Sequence, residues 1–142
     1  MVDQHLRLVI NISALVVALD QVLKYFIQLY QPNLGGDFLR IQFITNTGAG
    51  FGVLKNSTTI LTLISFIVAL ALIYYYKKIP KENTVQIFYA LFLGGVIGNL
   101  IDRLFLGYVV DFISFSFWPA FNIADAAITI GVVGIIIKTW KK

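Results

Sequence analysis

The chain has no cysteine and a single histidine, His5, and the two shortages narrow its chemistry. Without thiols it has no disulfide, no thiolate nucleophile and no cysteine-type metal site. With its one histidine ahead of the first long apolar run, it cannot build a Ser–His or Cys–His pair beyond that run. Charge is also scarce: 13% of residues are charged against 58% hydrophobic, and mean hydropathy is strongly positive. That balance excludes an ordinary soluble domain and makes the bilayer the expected solvent. In 142 residues there is room for one domain of a few spanning helices, 1–142, and no separate soluble domain. The net charge of +4 does not point to nucleic acid, because the lysines gather at the ends of apolar runs, where they signal topology.

What is present is a set of four apolar segments, about 8–28, 57–76, 84–106 and 121–140, each near the ~20 residues a spanning helix needs. An even number of crossings puts both termini on one side. Arg7 precedes the first segment, Lys77, Lys78 and Lys81 lie between the second and third, and Lys138, Lys141 and Lys142 close the chain. The positive-inside rule makes these ends cytoplasmic, since the opposite loops hold only Arg40 and Lys55, with Arg103 near a helix end. The first segment resembles a secretory signal in length, but its apolar pattern runs past Asp20 and Lys24 to Leu29, so it is expected to be retained.

The outer loops, 29–56 and 107–120, have different characters. In the first, Leu39, Ile41 and Phe43 alternate with Arg40 and Gln42 after a turn supplied by Pro32, Gly35 and Gly36, which predicts a small β-sheet on the extracytoplasmic surface. The second carries Tyr108, Phe112, Phe115, Phe117 and Trp118, an aromatic set suited to the headgroup region. The predicted fold class is therefore an all-α membrane protein with four transmembrane helices and a small outer sheet.

Carboxylates are the remaining candidates for chemistry. Asp20, Asp102, Asp111 and Asp125 are four of the seven acids, and all fall within or close to apolar segments, where a charge is costly and usually serves a site. Each also has a plainer reading. Asp20 and Lys24 are spaced i, i+4 on the first helix and can neutralise each other. Asn122 and Asp125 have the spacing of a helix N-cap and an acidic N3 residue. Asp111 reads equally as an exposed loop carboxylate, and Asn99, Asp102 and Arg103 share one helix face as a polar cluster of structural or functional use. Asp111 and Asp125 fall at the same outer boundary, and the fourteen residues between them span at most roughly 46 Å, which permits contact without establishing it. "TNTGAGFG", residues 45–52, is a glycine-rich turn whose backbone can hold an extended peptide or simply close a hairpin. It lacks the Gly-Lys-Ser/Thr ending of a phosphate loop.

Taken together, "DQVLK" (20–24), "TNTGAGFG", "GGVIGNLIDR" (94–103), "GYVVDFI" (107–113) and "FNIAD" (121–125) resemble the lipoprotein signal peptidases of bacteria, also called signal peptidase II. The resemblance runs in order along nearly the whole chain. It implies a multi-pass inner-membrane aspartic endopeptidase, active at the extracytoplasmic face, that cuts a prolipoprotein just before its diacylglyceryl-modified cysteine. On that mapping Asp111 and Asp125 are the catalytic pair. Asn46, Gly48, Asn99, Arg103 and Asn122 line the substrate and inhibitor pocket, and Asp20, Lys24 and Asp102 support it. The resemblance also implies sensitivity to the cyclic peptide globomycin, contact with membrane lipid, a monomeric state, and no metal or cofactor. From the residues alone, a proton-coupled small transporter and a non-catalytic membrane scaffold stand beside it. Transport favours ionisable groups near the midplane, a scaffold predicts tolerated Asp→Asn changes, and the Gly-x-Gly-Asp motif of presenilin-type proteases is absent.

Overall fold

The structure, a computed structural model, describes residues 3–49 and 56–140. Its four long helices are α1 (Gln4–Tyr30), α2 (Thr58–Tyr75, continued by a 3-10 turn Tyr76–Lys78), α3 (Asn83–Phe105) and α4 (Ile123–Trp140). All four are long and apolar enough to cross a membrane. Helix α1 starts four residues before its predicted bound because Asp3 caps it, its carboxylate accepting from the His5 N–H at 3.3 Å. Helix α3 ends at Phe105, and two residues on Gly107, with a φ of +78°, turns the chain away at little steric cost.

Helix α3 is the central element: α1, α2 and α4 all pack on it, while each presents large exposed apolar residues such as Leu15, Leu63 and Ile137 to its surroundings. The close approach depends on small residues along α3. At Gly98 an added Cβ would lie 2.9 Å from the Asp20 carboxylate and 3.2 Å from the Ala124 Cβ, so three helices converge there only because there is no side chain. Lys81 pairs with Asp3 at 2.8 Å and Lys138 with Glu82 at 3.4 Å, which brings the start of α1, the α2–α3 connection and the end of α4 to one end of the bundle.

The opposite end carries an antiparallel sheet in the order β1-β2-β3-β4, made of Asn33–Gly35, Leu39–Asn46, Val109–Phe115 and Trp118–Phe121. The alternation at 39–43 is indeed part of a strand, and it turns Ile41 and Phe43 toward a cluster of Ile27, Val110 and Phe112 that seats the sheet on α1. The stretch 107–120, expected as an aromatic headgroup loop, instead supplies half of this sheet. Strand β3 was hidden because Val109, Val110, Asp111 and Phe112 are all buried, so both of its faces are covered and no period-two pattern exists. Strand β4 also takes Phe121, so α4 starts at Ile123 rather than 121. In the register Ile44 faces Asp111 and Asn46 faces Val109, with an irregularity between Ile41 and Ile44. Within "TNTGAGFG", Gly50, Phe51 and Gly52 lie outside the described residues, so the expected turn there does as well.

Candidate active site

The site is assembled from β2, β3, α3 and α4, and its centre is Asn122. This residue is the N-cap of α4: its side-chain oxygen accepts from the Asp125 N–H at 2.8 Å, and its own N–H donates to the Asp125 carboxylate at 3.2 Å. That reciprocal pair is the capping box read from the sequence. The box leaves the Asn122 side-chain NH2 pointing away from the helix, where it donates to Asp111 Oδ1 at 2.8 Å, to the Asn99 side-chain oxygen at 3.1 Å and to the Val110 C=O at 3.2 Å. Asn122 thus touches both carboxylates. Capping and site-building are one arrangement here, and the spacing alone could not reveal the second.

Asp111 is 1% exposed, which corrects its reading as an exposed loop carboxylate. Its second oxygen accepts from the Asn46 side chain at 2.8 Å, and Asn46 is itself fixed by the Gly48 N–H, which donates to its side-chain oxygen at 2.9 Å. Asp125 accepts on its other side from the Asn99 side-chain NH2 at 2.7 Å. Among the described residues, neither Asp111 nor Asp125 has a lysine or arginine in ion-pair contact. Burial, followed by the charge of Asp125, pushes the Asp111 carboxyl up from its ordinary 3.8 to about 7, against the lowering effect of the Asn46 and Asn122 amides. The two carboxyl groups oppose each other's ionisation, so they titrate as a coupled pair rather than independently.

One turn from this pair, the other two acids have a cation. Lys24 is 1% exposed and spends its three N–H bonds on Asp20 at 2.7 Å, Asp102 at 2.9 Å and the Asn99 side-chain oxygen at 3.1 Å. The last contact decides how Asn99 points: with its oxygen on an ammonium group, its NH2 must face Asp125. Asp20 also accepts from the Ala124 N–H at 2.9 Å at the start of α4, and Asp102 accepts from the Val110 N–H at 3.0 Å, next to Asp111. Sequence reading missed the Lys24–Asp102 contact and Gln21, which donates to Asp102 at 2.8 Å and to the Gly98 C=O at 3.2 Å. A lone glutamine inside an apolar run was the available signal for it. Arg103 does not pair with Asp102, which already has Lys24; it donates to the Ser65 hydroxyl of α2 at 3.2 Å.

A cavity of about 480 Å3 opens on this centre. Asn46, Gly48, Arg103 and Asp125 line it, with strand β4 and the first turns of α4 as the apolar remainder. Asn46 therefore connects the cavity to Asp111. A peptide lying in it would meet the Asn46 amide, the Arg103 guanidinium and the Asp125 carboxyl, with Asp111 reached through Asn46.

Four apolar helices with a polar site and a cavity at one end describe a membrane protein whose chemistry is concentrated at that end. The comparisons sharpen this: the model of the family described as signal peptidase (SPase) II matches residues 12–141, and the chain belongs to that family. It is 41% identical to the lipoprotein signal peptidase of Moorella thermoacetica, over 92% of this chain and 89% of that one. It is 44% identical to the lipoprotein signal peptidase of Caldanaerobacter subterraneus subsp. tengcongensis, over 87% and 90% respectively. Among solved structures it is similar to a bacterial membrane enzyme determined by the in meso method at 2.3 Å, with a TM-score of 0.82 and 36% identity over 94% of this chain and 87% of that one. The chain is thus a membrane-spanning protease of the signal peptidase II family.

Proposed function

We propose that the chain, as a single peptidase domain over 1–142, is an aspartic endopeptidase that removes the signal peptide from diacylglyceryl-modified prolipoproteins, cutting before the lipidated cysteine. The relatives named as lipoprotein signal peptidases support the substrate class. The observation that carries the aspartic mechanism is that Asp111 and Asp125 share Asn122 and are held by amides with no ion-paired cation among the described residues.

In the reaction the ionised carboxylate takes a proton from water as the water oxygen attacks the scissile carbonyl carbon, and the protonated partner donates its proton to the carbonyl oxygen. The product is a neutral tetrahedral diol. The roles then reverse: the carboxyl that received the water proton passes it to the leaving nitrogen, the C–N bond breaks, and the partner recovers a proton from the diol hydroxyl as the C=O reforms. The peptide leaves as a carboxylic acid and an amine, with the pair back in its starting state. Asn46 and Arg103, which line the cavity, are suited to hold the peptide backbone and the polar ester region of the lipid-bearing cysteine. The lysine-bearing end of the bundle faces the cytoplasm on the positive-inside rule, which puts the sheet and the carboxyl pair at the extracytoplasmic face. There a signal peptide's apolar stretch lies along α4 while its cysteine stays at the outer leaflet. Globomycin occupies the same cavity on this reading.

The test is cleavage of a purified diacylglyceryl prolipoprotein by the wild type, Asp111→Asn and Asp125→Asn, each verified as folded in detergent. Loss in both variants, with globomycin blocking the wild type, is expected. A folded variant with near-normal turnover would remove the dyad and reopen the transporter and scaffold readings.

A further inference from the structure

The end of the bundle away from the sheet has a second hollow, which shares no lining residue with the cavity beside Asp125. Helices α1 and α2 pack on α3 from two sides and leave a groove of about 640 Å3 between them. Ile10, Ala14 and Val17 form one wall, Leu72 the other, and Tyr89 and Leu93 the floor. Its hydroxyls already have partners: Ser13 donates to the Ala90 C=O at 2.9 Å, Tyr89 donates to the Leu72 C=O, and Tyr76 at one end accepts from Lys81 at 3.3 Å. An occupant therefore meets an apolar channel.

Length and charge decide what fits. The α1 wall, from Leu6 to Ala18, is about 18 Å long at the rise of an α-helix. That is close to one leaflet of a hydrocarbon core of about 30 Å, so the groove matches a lipid chain and is too short to seat a spanning helix along its length. At its end stands Tyr76, with Lys81 at 4.5 Å over its ring and held there by Asp3 at 2.8 Å. The same turn continues into Lys77, while Arg7 lies on the face of α1 that carries Ile10 and Ala14, spaced i, i+3 and i+7. Arg7 and Lys77 are both exposed and have no ion pair among the described residues.

We propose that this groove binds one anionic phospholipid, with an acyl chain along α1 and α3 and its phosphate at Arg7 and Lys77. A zwitterionic headgroup brings its own cation to a mouth that is already positive, whereas an anionic one leaves its net charge to the protein. The inference rests on the membrane-spanning reading and is independent of the aspartate pair.

The delipidated chain, in detergent, is titrated with phosphatidylglycerol or phosphatidylcholine of identical acyl chains, and bound lipid is counted by native mass spectrometry. One phosphatidylglycerol per chain is expected, retained about tenfold better than phosphatidylcholine. Arg7→Gln combined with Lys77→Gln, both at exposed positions, should abolish the preference. Ala14→Trp, which fills the channel from an exposed wall position, should remove the bound lipid while the melting temperature stays near that of the wild type. Equal retention of the two lipids, or a preference that survives the double substitution, overturns the assignment of the headgroup site. Phosphatidylglycerol retained by folded Ala14→Trp overturns the groove. If that variant does not fold, the double substitution alone decides.

Discussion

Asp20 and Asp102 differ from Asp111 and Asp125 in one respect that matters more than burial. Asp20, Asp102 and Asp111 are buried and Asp125 is partly so, and both pairs accept hydrogen bonds from backbone or side-chain donors. The first pair closes on Lys24 at 2.7 and 2.9 Å, whereas the second is held by the neutral amides of Asn46, Asn99 and Asn122. An ammonium group in direct contact with two carboxylates ties them into one ion-paired cluster whose breakage is costly. Amides position a carboxyl group without settling whether it carries a proton, which is the property acid–base work requires. A cation joins α1 to α3 in one place, the pair proposed to react has none, and Asn99 touches both Lys24 and Asp125.

The most severe way to break the comparison is to remove a carboxyl from the reactive pair. Asp111→Asn or Asp125→Asn should lower the cleavage rate by ~10^3-fold or more with the fold retained, as seen by turnover set against the melting transition. Asp20→Asn should give the reverse pattern, a lower melting temperature with most of the per-molecule activity of the folded fraction preserved. Next in size, Lys24→Met leaves two buried carboxylates without their cation and should cost about 3–5 kcal/mol. The combination Asp20→Asn, Lys24→Met and Asp102→Asn should recover much of that loss, which chemical denaturation in mixed micelles can measure. If the single lysine change leaves stability intact, the division into a structural and a reactive pair fails.

A gentler handle is pH. With its carboxyl raised to about 7, Asp111 keeps its proton in the folded protein and would lose it on unfolding at neutral pH. Its contribution to stability is therefore complete below about pH 4 and lost as pH rises through about 7. The rate kcat/KM should fall above pH 7 by up to about tenfold per unit, because the shared proton is gone. Asp111→Asn should remove the pH-dependent part of the stability loss, and a melting curve that stays equally steep in that variant would assign the effect elsewhere. Smallest of all, Arg40→Gln at the exposed 3.7 Å pair with Asp37 should change stability by less than about 0.5 kcal/mol and leave cleavage untouched.

The four helices were legible in the sequence because a spanning segment is a local property, some twenty apolar residues in a row. One strand of the sheet, β2, was legible for a similar reason, since 39–43 alternates, whereas β1 at Asn33–Gly35 falls in the stretch read as a turn. Strand β3 was not, because burial on both faces removes the alternation, and β4 was disguised by Pro119 inside an aromatic stretch. The proposed site residues were visible as motifs, and the cap at Asn122 as a spacing. What connects them was not visible: Lys24 reaches Asn99 and Asp102 across more than seventy residues, and no local pattern reports that distance. Gly98 is the nearest thing to a written trace of it, since its missing side chain is what allows α1, α3 and α4 to meet.

The two members of the proposed dyad belong to different parts of the molecule, Asp111 to the sheet and Asp125 to the helix bundle. Their spacing is therefore a gauge of how the sheet sits on the bundle. The Val110–Asp102 bond and the Asn122 amide act as two pins beside Asp111, so any change in how the sheet seats on the bundle would change the separation of the two carboxyl groups.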